Sequence, residues 1–153
     1  MDVAPVGLPT TIAPMSLQEK LDADLKVAIR AKDETARETI RMLKSELLKE
    51  AHPDEMAILT RAVKSRRESI AAYLEGGRKD LADKEEAEIV VIERYLPKQL
   101  DEAQAAEAIR ALAAAQGITS KKDLGRLMKL VMEKHRGQID GKLASKLAGE
   151  ILS

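Results

Sequence analysis

The chain of 153 residues contains no cysteine, no phenylalanine and no tryptophan, and its aromatic side chains are those of Tyr73 and Tyr95. Without cysteine it can form neither a disulfide bond nor a thiolate zinc site, a composition that suits a reducing cytoplasm. With two tyrosines as its aromatic side chains, the composition argues against binding a single-stranded nucleic acid by base stacking. Hydrophobic residues still make up 44% of the chain, so we expect a core of aliphatic side chains.

Signals for targeting and for catalysis are also scarce. No apolar run approaches the length of a membrane span, and Met1 to Pro14 lacks the basic start and apolar centre of a signal peptide. The prolines and small residues there predict a disordered extension over residues 1–14, and we expect a cytoplasmic protein. Because no phosphate loop, nucleophile or cluster of metal ligands is present, we predict no cofactor, no metal and no catalytic site of its own.

Charge is balanced overall but differs between the two parts of the chain. Residues 1–96 carry 16 Lys and Arg against 19 Asp and Glu, a net charge of −3, whereas residues 97–153 carry 10 against 7, a net charge of +3. Within residues 116–146 the count is 8 against 3, or +5. This excess favours a binding surface for anions in the second part.

Every periodic segment has helical spacing, so we predict an all-α fold. Ser16 and Glu19 form a capping box that opens the first helix, and a second helix follows over about 34–50. The third, over about 55–75, and the fourth, capped by Asp80 and ending near Tyr95, form a long antiparallel hairpin through Gly76-Gly77. These helices make up an N-terminal helical domain of residues 15–96.

Pro97 marks the predicted domain boundary, because proline disfavours helix at the residue before it. The remaining residues, 97–153, show three short helices, which begin at Asp101, Ser120 and Asp140. We therefore predict a small C-terminal three-helix bundle.

The basic residues of this second domain are the candidate RNA-binding residues. Lys122, Arg126 and Lys129 are spaced by four and three residues and so share one helix face, and the others lie on the last helix or just before it. The set is Lys122, Arg126, Lys129, Arg136, Lys142 and Lys146. Several cations on one rigid surface suit phosphate, and the helix beginning at Ser120 is expected to offer it free N–H groups. An ordinary solvated helix face would show the same pattern, so both interpretations stay open.

A second polar set surrounds the predicted hairpin and consists of Arg66, Arg67, Arg78, Asp80, Glu85 and Glu88. Its arginines are expected to pair with carboxylates of the neighbouring antiparallel helix, because the guanidinium fork binds carboxylate with two bonds. The alternative is an anion pocket at the hairpin. We interpret the set as a structural polar network.

Several linked motifs resemble the YqeY family over about Ser16 to Leu152. They are Lys64, Arg66, Arg67, Glu68 and Ser69, then Gly77-Arg78, Asp80-Leu81 and Tyr95-Leu96-Pro97, and finally Asp123-Leu124-Gly125, Met128, Gly137 and Asp140-Gly141-Lys142-Leu143. Two positions depart from the family pattern: Lys129 replaces a glycine, and Gln138 replaces an arginine. These departures move positive charge rather than remove it.

The resemblance implies that the last domain is similar to the tail of the B subunit of the tRNA-dependent amidotransferase. That enzyme, a carbon–nitrogen ligase with glutamine as amido-nitrogen donor, amidates Glu or Asp misacylated onto tRNA, and its tail helps to hold the tRNA. We therefore expect a stand-alone accessory module that binds tRNA or another structured RNA. The alternative is a protein–protein adaptor that docks through the N-terminal hairpin.

Overall fold

The computed structural model describes residues 15–153, so the predicted disordered extension over 1–14 lies outside the described residues. Within residues 15–153 the chain forms helices and no strand, and the predicted all-α fold is confirmed. The helices are α1 (Leu17–Ala31), α2 (Glu34–Leu47), α3 (Glu55–Glu75), α4 (Lys79–Glu93), α5 (Glu102–Gln116), α6 (Leu124–Lys134) and α7 (Gly141–Ile151), with a 3-10 turn (Lys121–Asp123) before α6.

Short-range hydrogen bonds fix most of the helix starts. The predicted capping box is present, since the Ser16 hydroxyl accepts from the Glu19 N–H at 3.1 Å, and a second one opens α5, where the Asp101 carboxylate accepts from the Gln104 N–H at 2.7 Å. The Asp140 carboxylate caps α7 in the same way. Such caps satisfy N–H groups that have no partner inside the helix.

The start of α4 differs from the prediction. Asp80 is not the N-cap, since α4 begins at Lys79, and Arg78 in the cap position makes no capping hydrogen bond through its side chain. The Asp80 carboxylate instead accepts two hydrogen bonds from the Arg78 guanidinium, at 3.1 and 3.0 Å. A guanidinium beside the carboxylate thus takes the place of the backbone N–H groups that a cap would bind.

Helices α3 and α4 form the predicted hairpin around Gly76-Gly77. Gly77 adopts φ +73°, a left-handed conformation that a side chain would strain, and this allows the chain to reverse direction. Farther from the turn, the Arg66 guanidinium donates to the Glu88 carboxylate at 2.9 Å across the two helices. At the far end the Tyr95 hydroxyl donates to the Asp24 carboxylate of α1 at 2.5 Å.

The buried side chains form two separate clusters. The first belongs to α1–α4 and includes Leu21, Ile40, Leu43 and Ile92, all fully buried. The second belongs to α5–α7 and the adjoining loops, and its largest fully buried side chains are Ile109, Leu127 and Val131. The predicted boundary at Pro97 falls between the last residue of the first cluster and the first residue of the second.

The two clusters meet at a junction made by the loop between α6 and α7. There Gly137 adopts φ +80°, and a Cβ at that position would run into the Met56 sulfur. Its carbonyl accepts from the Gln99 side chain at 2.5 Å, and the Leu100 N–H donates to the Gln138 carbonyl at 3.0 Å. A glycine is therefore needed where the α6–α7 loop passes against α3.

Candidate nucleic-acid interface

Helix α6 places two of the candidate cations on its exposed face. Leu127 and Val131 are buried in the second cluster, so α6 turns this side inward. Arg126 and Lys129 lie on the other side and are exposed. Between them and the N-terminus of the helix is Gly125, where an added Cβ would have no atom within 4 Å. The exposed face of α6 is therefore cationic and free of obstruction near its start.

Lys122 lies outside the regular helix, which corrects the predicted start at Ser120. It belongs to the 3-10 turn Lys121–Asp123, and α6 begins only at Leu124. Lys122 is exposed, as are the neighbouring Lys121 and Arg126. Regular helical spacing thus joins Arg126 to Lys129, while Lys122 is held by the turn before them.

The N–H groups expected to bind phosphate at this start already have partners. The Lys121 N–H donates to the Ser153 carbonyl at 3.1 Å, and the Lys122 N–H donates to the Ser120 hydroxyl at 3.2 Å. The Asp123 N–H donates to the Ser120 carbonyl at 3.0 Å. The expectation of free N–H groups at Ser120 is therefore wrong, because a 3-10 turn and the last residue of the chain satisfy them.

Ion pairs divide the six candidate cations into two groups. Arg136 binds the Asp54 carboxylate at 2.6 Å, and Lys146 lies 3.3 Å from the Glu102 carboxylate. Among residues 15–153, no carboxylate lies within 4.0 Å of the side-chain nitrogens of the other four, Lys122, Arg126, Lys129 and Lys142. These four are thus the better placed to neutralise phosphates.

Arg126 has one neutral neighbour. Its guanidinium donates to the Gln116 side-chain oxygen of α5 at 3.4 Å, which holds the side chain along the α5–α6 edge. Such a contact leaves the positive charge uncompensated. The local excess of positive charge predicted from the sequence therefore remains at the surface.

The second polar set contains three different kinds of contact. Arg66 and Glu88 form a pair whose side chains are each 15% exposed, and Arg66 also donates to the Ala62 carbonyl. Arg78 and Asp80 pair at the exposed turn, where the guanidinium lowers the pKa of the Asp80 carboxyl. Arg67 lies 3.5 Å from Glu93. These contacts do not form one continuous anion pocket at the hairpin turn.

Two contacts between distant parts of the chain were missed by sequence reasoning. Arg67 lies 3.5 Å from the carboxylate of Asp140, the N-cap of α7, in addition to its contact with Glu93. Arg136 reaches Asp54, which also caps α3 through the Ala57 N–H at 3.0 Å. The hydrogen bond from Arg136 lowers the pKa of the Asp54 carboxyl. No periodic pattern signals such pairs, since their members are far apart in sequence.

Residues 15–153 contain no group of three or more His, Cys, Asp or Glu side chains that could hold a metal ion. None of the described helices is both long and apolar enough to cross a membrane.

These observations define an all-helical protein with two separate hydrophobic cores, the first built from α1–α4 and the second from α5–α7. The helices around the second core carry an exposed cationic surface made by Lys122, Arg126, Lys129 and Lys142. The sequence model of the YqeY family, described as Yqey-like protein, matches residues 18–152. The chain belongs to the YqeY family.

Three fungal relatives share the same name, altered inheritance of mitochondria protein 41, mitochondrial. The protein of Pyrenophora tritici-repentis is 29% identical over 145 residues, which cover 87% of this chain and 79% of the relative. That of Vanderwaltozyma polyspora is 32% identical over 120 residues, covering 68% and 64%. That of Eremothecium gossypii is 40% identical over 85 residues, covering 50% and 46%.

The predicted cytoplasmic location is contradicted by these relatives. All three are named as mitochondrial proteins. The prediction was wrong because it rested on two absences, of cysteine and of a secretory signal peptide, and neither distinguishes one reducing compartment from another.

Proposed function

We propose that the chain is an accessory module that binds tRNA or another structured RNA through the cationic surface of its second core, without a catalytic site of its own. The observation that carries the proposal is that Lys122, Arg126 and Lys129 are exposed and have no carboxylate within 4.0 Å among residues 15–153. Cations of this kind release condensed counterions when they bind phosphates. Lys142 extends the same charge excess to α7.

The choice of RNA rests on the family resemblance. The tail of the tRNA-dependent amidotransferase B subunit, which helps to hold tRNA, resembles this second domain, and the resemblance associates the chain with glutamine-dependent carbon–nitrogen ligases. A helical surface without aromatic side chains suits a folded RNA, whose phosphates it can bind, better than unpaired bases. The names of the relatives make mitochondrial tRNAs one set of ligands to test.

The test measures tRNA affinity as a function of salt concentration. We expect the triple substitution of Lys122, Arg126 and Lys129 by Ala to weaken binding. The slope of log affinity against log salt should fall by about one unit for each lost phosphate contact.

A matched control removes the same residue types from the first core. Lys20, Lys26 and Arg30 are exposed on α1 and make no ion pair with the described residues, so their replacement by Ala changes the net charge equally. The control should bind tRNA as the wild type does. Equal losses in both variants would mean that tRNA responds to net charge alone, and the proposed surface would be rejected.

The adaptor hypothesis has one observation in its favour. The α3–α4 hairpin exposes two large apolar side chains, Leu74 at 55% and Val90 at 54%. Single apolar side chains are common on protein surfaces, so they favour a docking face less than the unpaired cations favour RNA. Replacement of both by Ser should leave tRNA binding intact. Loss of a co-purifying protein partner in that variant would favour the adaptor.

A further inference from the structure

The junction between the two cores encloses an open pocket of about 360 Å³. One wall is α3, and the opposite wall is the segment from the end of α6 to the start of α7. Apolar side chains line much of it, among them Val63, Leu96, Met132 and Ile139. Pockets of this size with a mainly apolar lining and a few charged groups are typical of small-molecule sites.

Four cations line the same pocket. Arg61, Lys64 and Arg67 follow one another at three-residue steps on α3, so they share the helix face that borders the pocket, and Arg136 comes from the opposite wall. Asp140 is the single carboxylate among the lining residues. The lining therefore carries a net charge of +3, four cations less one carboxylate.

Carboxylates outside the lining compensate two of these cations. Arg136 is paired with Asp54, and Arg67 lies 3.5 Å from both Glu93 and Asp140. Arg61 and Lys64 have no carboxylate within 4.0 Å of their side-chain nitrogens in the described part of the chain. Even with Asp54 and Glu93 counted, four cations face three carboxylates. The positive charge that remains lies on Arg61 and Lys64, one turn apart on α3, and both side chains are exposed.

We propose that this pocket binds an organic phosphate, with the phosphate on Arg61 and Lys64 and the apolar body against Val63, Leu96 and Met132. A phosphomonoester carries close to two negative charges and three acceptor oxygens, so it can engage a guanidinium and an ammonium together. Inorganic phosphate would leave the apolar lining empty. The phosphate could belong to a free metabolite or to the 5′ end of an RNA, which share this chemistry.

The pocket is separate from the surface proposed to bind tRNA. None of Lys122, Arg126 and Lys129 lines it. A ligand there would contact α3 of the first core and the α6–α7 loop of the second, so binding should raise the melting temperature by stabilising the junction.

The test uses isothermal titration calorimetry of the full chain with AMP as the organic phosphate and adenosine as its phosphate-free counterpart. We expect AMP to bind and adenosine to bind at least about tenfold more weakly, as the loss of charge-assisted hydrogen bonds implies. The double variant R61Q/K64Q should lose AMP affinity by about tenfold or more. Both side chains are exposed and unpaired, so the variant should fold normally.

The matched control is K26Q/R30Q, which removes one Lys and one Arg from the exposed face of α1 and should bind AMP as the wild type does.

A short RNA with and without a 5′-phosphate separates the two sources of the phosphate. Binding that depends on the 5′-phosphate, without binding of AMP, assigns the pocket to an RNA end. The proposal is overturned if neither AMP nor the 5′-phosphorylated RNA binds, if adenosine binds as tightly as AMP, or if R61Q/K64Q binds as the wild type does. Because K122A/R126A/K129A leaves the pocket intact, loss of tRNA binding and loss of AMP binding are distinguishable.

Discussion

Arg136, in the loop between α6 and α7, donates a hydrogen bond to the Asp54 carboxylate at 2.6 Å, although 82 residues separate the two. Asp54 is also the N-cap of α3. The same carboxylate therefore caps a helix that packs in the first core and binds an arginine that belongs to the second part of the chain. The pair is thus a direct polar link across the junction.

This link predicts a pH-dependent contribution to stability. Arg136 lowers the pKa of Asp54 below its ordinary value of 3.8. A depressed carboxyl pKa stabilises the folded state above the unfolded-state value, and the contribution is lost as the pH falls through the folded-state pKa. The free energy of unfolding of R136M should therefore lie below that of the wild type near neutral pH and approach it in acid.

Lys142 provides the control for this measurement. It is exposed on the same core and has no carboxylate within 4.0 Å among residues 15–153. K142M should show no comparable pH-dependent difference. A constant offset between R136M and the wild type at all pH values would contradict the assigned role of Asp54.

Two glycines with similar backbone conformations allow the packing at the junction to be measured as a difference in the free energy of unfolding. Gly137 and Gly117 have φ +80° and +66°, but only at Gly137 would a Cβ meet other atoms, those of Met56 and Pro97. G117A should cost about 1 kcal/mol or somewhat more through left-handed strain alone. G137A should cost more than G117A, because the added Cβ must also displace the Met56 thioether and crowd the Pro97 ring. Denaturant unfolding of both variants gives the difference, and equal costs would argue against a tight contact at the junction.

Two other glycines separate helix stability from RNA binding. Gly125 in α6 and Gly149 in α7 both have open space where a Cβ would be added. Either substitution by Ala should raise helix stability by up to about 1 kcal/mol. If RNA approaches the face of α6, only G125A should weaken tRNA binding. Unchanged affinity in G125A would show that the RNA does not come close to this backbone.

Burial predicts that the two arginine pairs of the hairpin differ in importance. Arg66 and Glu88 are each 15% exposed, whereas Arg78 and Asp80 are 58% and 65% exposed. R66M should destabilise the fold by about 2 kcal/mol, because Glu88 is left half-buried without its partner. R78M should have a much smaller effect, since water screens an exposed pair. Thermal unfolding of the two variants tests this order.

The features of the fold that could be predicted from the sequence are those determined by residues close together in the chain. Ser16 with Glu19 and Asp101 with Gln104 act over three residues, so their capping boxes are visible in the sequence and present in the structure. The start of α4 was misplaced because Asp80 finds the guanidinium of Arg78 two residues away instead of backbone N–H groups. The guanidinium and the backbone N–H groups compete for the same carboxylate, and the sequence does not show which of them binds it.

The candidate site could be predicted only in part, because charge is visible in a sequence and pairing across the fold is not. The spacing of Arg126 and Lys129 was enough to place both on the exposed face of α6. It gave no sign that Arg136 reaches Asp54 or that Lys146 reaches Glu102, 44 residues away. The pocket was missed for the same reason, since its walls come from both cores.

The contact between Gly137 and Met56 should also make the junction sensitive to oxidants. Met56 is partly exposed, and its thioether sulfur occupies the space that a side chain at position 137 would need. Oxidation to the sulfoxide adds a polar oxygen to that sulfur. The enlarged group would crowd the backbone at Gly137. An oxidising agent should therefore loosen the attachment of the two cores, and a methionine sulfoxide reductase should restore it.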